Sequence, residues 1–341
     1  MKDFKDLTRE ERRAALKALG QQSFREGQIF EWVCRGARSF DEMSNLSKEL
    51  RASLSESYTL GSLSVEVEQI SSDGTRKYLL GLPDGNSVEA VLMRYEYGNS
   101  LCISTQVGCR MGCSFCASTI GGKLRDLKAW EMLDEFLVCQ EHSGLKLNHL
   151  VLMGIGEPFD NYANLCEFLR QIHDPKGPGL SYRNITVSTC GLIPGIADFA
   201  RDFPQVNLAV SLHASDQEER EKLMPVAKAY RLPELMEACR SYTEATGRRI
   251  SFEYTLIAGK NDSEEDAARL ARLLRGMLCH VNLIRLNPVR ETGLRSAEQG
   301  KAQALRDYLE SHGVPASIRR TLGQDIDAAC GQLRKKMGQG S

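Results

Sequence analysis

Long hydrophobic runs are what this 341-residue chain most plainly lacks. No stretch approaches the roughly 20 apolar residues of a membrane span, which excludes a helical membrane protein. The opening residues, MKDFKDLTREERRAALKAL, are charged from the start and contain no apolar secretory core. These two absences predict a cytoplasmic protein with no membrane partner. A surplus of charge of one sign is missing as well. The formal net charge is −1, so composition does not announce a nucleic-acid binder, and any RNA contact must come from local patches. Low-complexity sequence is confined to the terminal KKMGQGS, and no short repeat recurs. What remains is the composition of a globular enzyme, 42% hydrophobic and 26% charged, long enough for one large α/β domain and a smaller appendage.

Cysteine, by contrast, is plentiful. The cytosol keeps thiols reduced, so the 11 cysteines do not suggest a disulfide scaffold. Some are expected to be ligands or catalytic thiols and the rest small buried residues.

The pattern divides the chain into segments. Residues 1–57 read as short helices: Thr8 with Glu11 fits a capping box, Gly20 sits where a helix stops, and Ser23 with Glu26 repeats the capping pattern. Residues 58–97 read as a small β extension, in which Val65 and Val67 alternate with polar neighbours and Asp73-Gly74 and Asp84-Gly85 signal turns. Residues 98–330 read as alternating strands and helices, and 331–341 as a basic tail. Candidate strands are 101–107, 148–153, 184–189, 207–212, 250–257 and 280–286, with another at 315–319. Helical patterns include 127–142, 163–172, 232–246, 263–276 and 297–312. Such alternation implies parallel pairing through right-handed crossovers, in an open sheet or a barrel. Polar and glycine-rich residues follow the strand ends: Cys109 to Cys116, Gly154 to Pro158, Ser188, Ser211-Leu212-His213 and Asn287. Parallel α/β folds place their sites at that edge.

Cys109-x-x-x-Cys113-x-x-Cys116 lies in a loop with Gly108 and Gly112, which permit tight wrapping. Three thiolates on a four-iron cluster leave one iron open to a small molecule. Structural zinc wants four protein ligands. The fourth candidate, Cys102, falls in a strand seven residues earlier, an awkward place for a tetrahedral site.

C-x3-C-x2-C after the first strand of an α/β repeat resembles the signature of radical S-adenosylmethionine (SAM) enzymes. That resemblance implies a partial (β/α)6 barrel of the TIM type carrying an N-terminal helical domain and a β extension. It also implies a 4Fe–4S cluster held by Cys109, Cys113 and Cys116. By the same resemblance, one-electron reduction of SAM bound at the open iron breaks its sulfonium bond and gives a 5′-deoxyadenosyl radical. Phe115 suits aromatic packing beside such a cluster, or plain core. A closer resemblance lies in LCISTQVGCRMGCSFCAST, GIGEPFDNY, VSLHA and DIDAACGQL, which together look like the RlmN family of RNA methyltransferases. The likeness runs from the N-terminal helices, similar to that family's RNA-binding domain, to Cys330.

What the family implies is specific. Carbon-2 of adenine is not nucleophilic, so direct transfer of a methyl cation would fail. Cys330 takes a methyl group from a first SAM by displacement. A radical from a second SAM activates that S-methyl group for addition to carbon-2. Cys102 then forms a disulfide with Cys330 and releases the product, and Glu89 accepts the carbon-2 proton. Gly156, Glu157, Ser188, Ser211, Leu212, His213 and Asn287 match SAM contacts; a carboxylate such as Glu157 suits an ammonium group. The implied partners are 23S rRNA at the peptidyl-transferase centre and tRNA at the adenosine 3′ of the anticodon. An electron donor such as flavodoxin or ferredoxin and a monomeric state complete the implication.

Each residue also has a plainer reading. Cys330 and Cys102 fit as buried small residues, Glu89 as a solvated strand residue, His213 as a helix cap, and Asn287 before Pro288 as a turn. Cys34, Cys139, Cys166, Cys190, Cys239 and Cys279 read as structural. Candidate RNA patches are Arg9, Arg12, Arg13 and Lys17, then Arg319-Arg320 and Arg334-Lys335-Lys336 around Cys330, with a solvated surface as the alternative. Two rival functions stay open. A Cfr-like enzyme methylates carbon-8 and confers antibiotic resistance; Arg285-Leu286-Asn287-Pro288 leans that way, whereas Gln106-Val107-Gly108 and Pro158 lean towards RlmN. A non-enzymatic metal-binding RNA-interaction protein explains the cysteines but not the polar residues gathered at one edge.

Overall fold

In the computed structural model, which describes residues 1–287, 289 and 291–333, a mixed 10-stranded sheet forms the frame. Strands β1 (Lys2–Asp3) and β2 (Tyr58–Thr59) lie outside it as a parallel pair. Strands β3 (Ser64–Ile70), β4 (Arg76–Gly81), β5 (Ser87–Tyr95) and β6 (Gly98–Cys102) form an antiparallel meander. Its first two turns fall where the Asp-Gly pairs stand, with Gly74 and Gly85 at φ 83° and 80°. The meander is no separate sheet, because β6 pairs with β5 on one side and in parallel with β9 on the other.

The expected strand 101–107 stops early. At Ser104 the chain leaves the ladder: the Ser104 hydroxyl donates to the Glu89 carbonyl and accepts from the Ile155 N–H. Gln106–Val107 then forms β7, which pairs with β8 (Arg125–Asp126). Beyond it run β9 (Leu147–Leu152), β10 (Ile185–Thr189), β11 (Asn207–Ser211), β12 (Ile250–Leu256), β13 (Cys279–Arg285) and β14 (Ala316–Ile318), all parallel. The sheet ends at β14 on one side and β3 on the other, so the barrel is partial and open. Val187, Leu208, Phe252 and Val281 are buried between the layers, which is why these strands read as aliphatic runs.

Helices α1 (Arg9–Ala18), α2 (Phe24–Cys34) and α3 (Lys48–Ser57) make the N-terminal unit. They close on a core of their own around Phe4, Leu16, Ile29, Met43 and Leu54. The Thr8–Glu11 capping box is present. Ser23 caps nothing; its backbone is already helical, and Glu26 turns inward instead to pair with Arg12 at 3.0 Å. The crossovers are α4 (Ala129–Ser143), α5 (Tyr162–His173), α6 (Ile193–Asp202), α7 (Gln217–Leu223), α8 (Leu232–Thr246), α9 (Glu264–Leu274) and α10 (Gln299–Ser311). Among the described residues, no helix is long and apolar enough to cross a membrane.

Candidate active site

The C-terminal ends of the parallel strands open onto one cavity of about 940 Å³ including its mouth. Its wall carries Cys109, Cys113, Cys116, Gly156, Glu157, Ser188, Ser211, His213, Asn287 and Cys330. A second, adjoining pocket holds Cys102 and again Cys330. Cys330 therefore stands on the wall shared by the two, together with Met153, Ile284, Asn287 and Arg319.

The cysteine loop is built by its glycines. Gly108 has φ 78°, and a Cβ there would run into the Gly122 carbonyl oxygen. Burial leads the causes that raise all three cysteines; neighbouring thiols add to it at each, and carboxylates at Cys109 and Cys113 only. Cys109 is pushed up to about 12, Cys113 lies well above its ordinary range, and Cys116 is raised in the same direction. Thiolates gathered this closely favour a positively charged centre between them. Among the described residues no group of His, Cys, Asp or Glu is preassembled around a single metal ion. This donor set, three thiols on one wall of a roomy cavity, fits a cluster better than a closed tetrahedral zinc site. Phe115 lines the same cavity and meets His213 edge-on, with ring centroids 4.8 Å apart.

Elsewhere on the lining, Gly156 has φ 112°, and a Cβ there would lie 2.7 Å from Gln106 and Thr105. Glu157 is buried and accepts from the Phe159 and Cys190 N–H groups at 3.0 and 2.7 Å. Burial raises its pKa against those bonds. Its carboxylate lines the cavity, where it suits a ligand ammonium. His213 does not cap the next helix, a task Asp216 performs. It sits at φ 55°, and its Nδ1 accepts from the Thr255 N–H at 2.9 Å. Burial, then Arg220, pushes it down to about 3. It is thus neutral, with its proton on Nε2. Asn287 does more than shape a turn: its Nδ2 donates to the Cys330 carbonyl at 3.0 Å. Pro288 lies outside the described residues, as do Arg334, Lys335 and Lys336 of the basic tail.

Two expectations need correction. The Leu212 side chain belongs to the main core, and only its N–H, bonded to the Glu253 carbonyl at 3.0 Å, follows the cavity edge. Glu89 is not solvated, because β5 is covered on both faces. It lines neither pocket; its carboxylate pairs with buried Lys77 at 3.4 Å. Lys77 in turn donates to the Asp327 carbonyl at 3.2 Å, within the segment that presents Cys330. Cys102 and Cys330 are both free thiols in this state, and the disulfide implied at product release is not present.

Sequence reasoning passed over several groups. Cys190, read as structural, lines the cavity and orients Glu157 through its N–H. Arg319, read as a surface phosphate contact, points inward. Its Nη1 lies 3.6 Å from Glu253 and 3.7 Å from the Met153 sulfur, and the neighbouring Cys330 leads the causes that raise its pKa. Arg9 and Arg12 are spent on Glu26 rather than on a free patch. The one signal for Arg319 was its position just after the last strand.

A partial parallel barrel with this cavity defines the class of radical SAM proteins, and residues 103–271 match the radical SAM superfamily. Residues 2–60 match the ribosomal RNA large subunit methyltransferase N-terminal domain. Among curated relatives, the probable dual-specificity RNA methyltransferase RlmN of Desulforamulus reducens is 49% identical, over 98% of this chain and 96% of its own. That of Lachnoclostridium phytofermentans is 50% identical over 98% and 94%. A crystal structure of a radical SAM methyltransferase from Sphaerobacter thermophilus superposes with a TM-score of 0.92 at 43% identity, covering 98% of this chain and 99% of that one. This chain belongs to the RlmN family of radical SAM RNA methyltransferases. It is therefore an enzyme, which removes the reading as a non-enzymatic binding module.

Proposed function

We propose that this enzyme methylates carbon-2 of adenosine in 23S rRNA and in tRNA, with Cys330 as the thiol that carries the methyl group. The observation behind this reading is the position of Cys330 on the wall between the three-cysteine cavity and the pocket of Cys102. Cys109, Cys113 and Cys116 would hold a 4Fe–4S cluster with one iron open, and Gly156, Glu157, Ser188, Ser211, His213 and Asn287 would receive SAM. Together these cofactors supply one-electron chemistry and the methyl group, with flavodoxin or ferredoxin as the electron source.

The chain's own residues do the rest. Glu157 accepts from the ligand's ammonium group, and neutral His213 offers its Nε2–H to the cavity. Asn287 fixes the Cys330 carbonyl and so aims the thiol. Cys102 releases the product by attacking the Cys330 sulfur: a sulfur–sulfur bond forms, the bond from Cys330 to the base's methylene carbon breaks, and its electron pair is protonated to the methyl group. For Glu89 we keep the role of carbon-2 proton acceptor that the family implies; in this state it lies outside both pockets and braces the Cys330 segment through Lys77.

The test is product analysis. Ribosomal RNA and tRNA from cells expressing the protein, digested to nucleosides, are expected to contain 2-methyladenosine by mass spectrometry. Finding 8-methyladenosine alone would decide for the Cfr-like alternative.

A further inference from the structure

We propose that Tyr97 and Tyr95 form a stacking site for an RNA base next to the target adenosine, an inference that rests on the RNA-methylation reading. The two rings are parallel, with centroids 4.9 Å apart and planes 8° apart. Tyr97 occupies the turn between β5 and β6, and it is 67% exposed, an unusual cost for a large aromatic side chain at a hairpin tip. His149 on β9 packs against it at 5.2 Å with planes 84° apart, so the exposed ring is held in one orientation. A ring held so loses little freedom on binding.

The stack leads somewhere. Tyr95, its inner member, lines the pocket of Cys102 and Cys330, with its hydroxyl on the Met93 sulfur at 3.5 Å. The exposed Arg320 lines the same pocket and gives its rim a positive charge. An aromatic step therefore runs from solvent to the reacting thiol beside an exposed guanidinium group. That combination matches single-stranded RNA, whose unstacked bases pack on aromatic rings while phosphates meet cations. A protein partner would have no use for the continuity with the thiol pocket.

The test uses the cluster-loaded enzyme, without SAM, and a synthetic anticodon stem-loop bearing 2-aminopurine on either side of the target adenosine. Tyr97→Ala is expected to weaken binding about tenfold or more and to abolish the fluorescence quench at one flank. Tyr97→Phe is expected to restore both. The slope of affinity against salt should not change, because no phosphate contact is lost. With SAM present, Tyr97→Ala should raise KM for the stem-loop more than it lowers kcat. Normal affinity in Tyr97→Ala, a changed salt slope, or failure of Tyr97→Phe to rescue would overturn the stacking site. Should the wild-type enzyme still form 2-methyladenosine while Tyr97→Ala binds normally, only this inference falls; should the wild type form none, the function itself is wrong.

Discussion

Cys102 is enclosed by β5 and β9, and its thiol is pushed up to about 12 by burial, then by the nearby Cys330, with Arg319 pulling the other way. It is therefore protonated at neutral pH, and its thiolate fraction rises about tenfold per pH unit. Alkylation of the oxygen-protected protein with iodoacetamide, followed by peptide mass spectrometry, is expected to modify half-buried Cys330 first. Labelling of Cys102 should climb roughly tenfold per pH unit from 7 to 10; a flat profile would contradict its burial. The same inequality orders the chemistry. Cys330→Ala should abolish methyl transfer, since no carrier thiol remains, while Cys102→Ala should attack RNA and then stall as a covalent adduct visible on a denaturing gel. Normal turnover by Cys102→Ala would remove the release role. The thiols were readable because a motif announces them: C-x3-C-x2-C for the loop, DIDAACGQL for Cys330. The inward turn of Arg319 and the buried pairing of Lys77 with Glu89 were not, because a charged residue in or beside a strand looks solvated until the sheet is known to be covered on both faces.

The segment that presents Cys330 carries little regular structure, a short 3-10 turn at Gln324–Ile326 and a turn closed by Gln332 on Ala329, and is held by hydrogen bonds. Asp73 accepts from the Gly323 N–H at 2.9 Å, Ser71 and Ser72 donate to Asp325, Ala117 donates to the Gly331 carbonyl, and Ser118 to that of Leu333. Such pins join the β3–β4 turn and the cysteine loop to one segment. Burial alone would raise Asp73, but the bonds from Gly323, Thr75 and Ser71 win and lower it from 3.8 to about 2. A lowered carboxylate contributes stability above its unfolded value and loses it as pH falls through the folded one. Amide exchange of residues 323–333 should therefore be protected evenly from neutral pH down to about 4. Asp73→Ala leaves the Gly323 N–H unmet and should raise exchange there by an amount worth about 1–3 kcal/mol. Unchanged exchange would show that the other pins suffice. No periodicity marks this segment, so its placement was illegible. The strands, by contrast, were legible from their aliphatic runs, and most helices from their apolar stripes. Two crossovers were not legible: α6, which opens on Ile193-Pro194, and α7, which is too short for a repeating stripe.

At the scale of the whole molecule, the N-terminal unit is bolted to the barrel by charge. Lys5 Nζ pairs with Asp134 of α4 at 3.0 Å, both side chains buried, and rests 4.3 Å over the Trp130 ring. Trp130 and Lys128 donate to Asp6, and Arg9 reaches Asp174 at 3.7 Å. Burial pushes the Asp134 carboxyl up more than Lys5 pulls it down, which marks a pair taken out of water. A buried pair is costly to break and much less costly to replace. Asp134→Ala strands the Lys5 ammonium and should lower unfolding stability by about 3–5 kcal/mol. Lys5→Met with Asp134→Leu should recover most of it, because neither charge is then buried alone. Thermal unfolding of the two variants distinguishes the cases. Equal loss in both would mean that the pair holds the unit by geometry rather than by mutual neutralisation. The double variant also separates docking from charge in RNA binding. If the unit positions RNA only by being held in place, the double variant should bind the stem-loop like the wild type, with the same salt slope, whereas Asp134→Ala should bind more weakly.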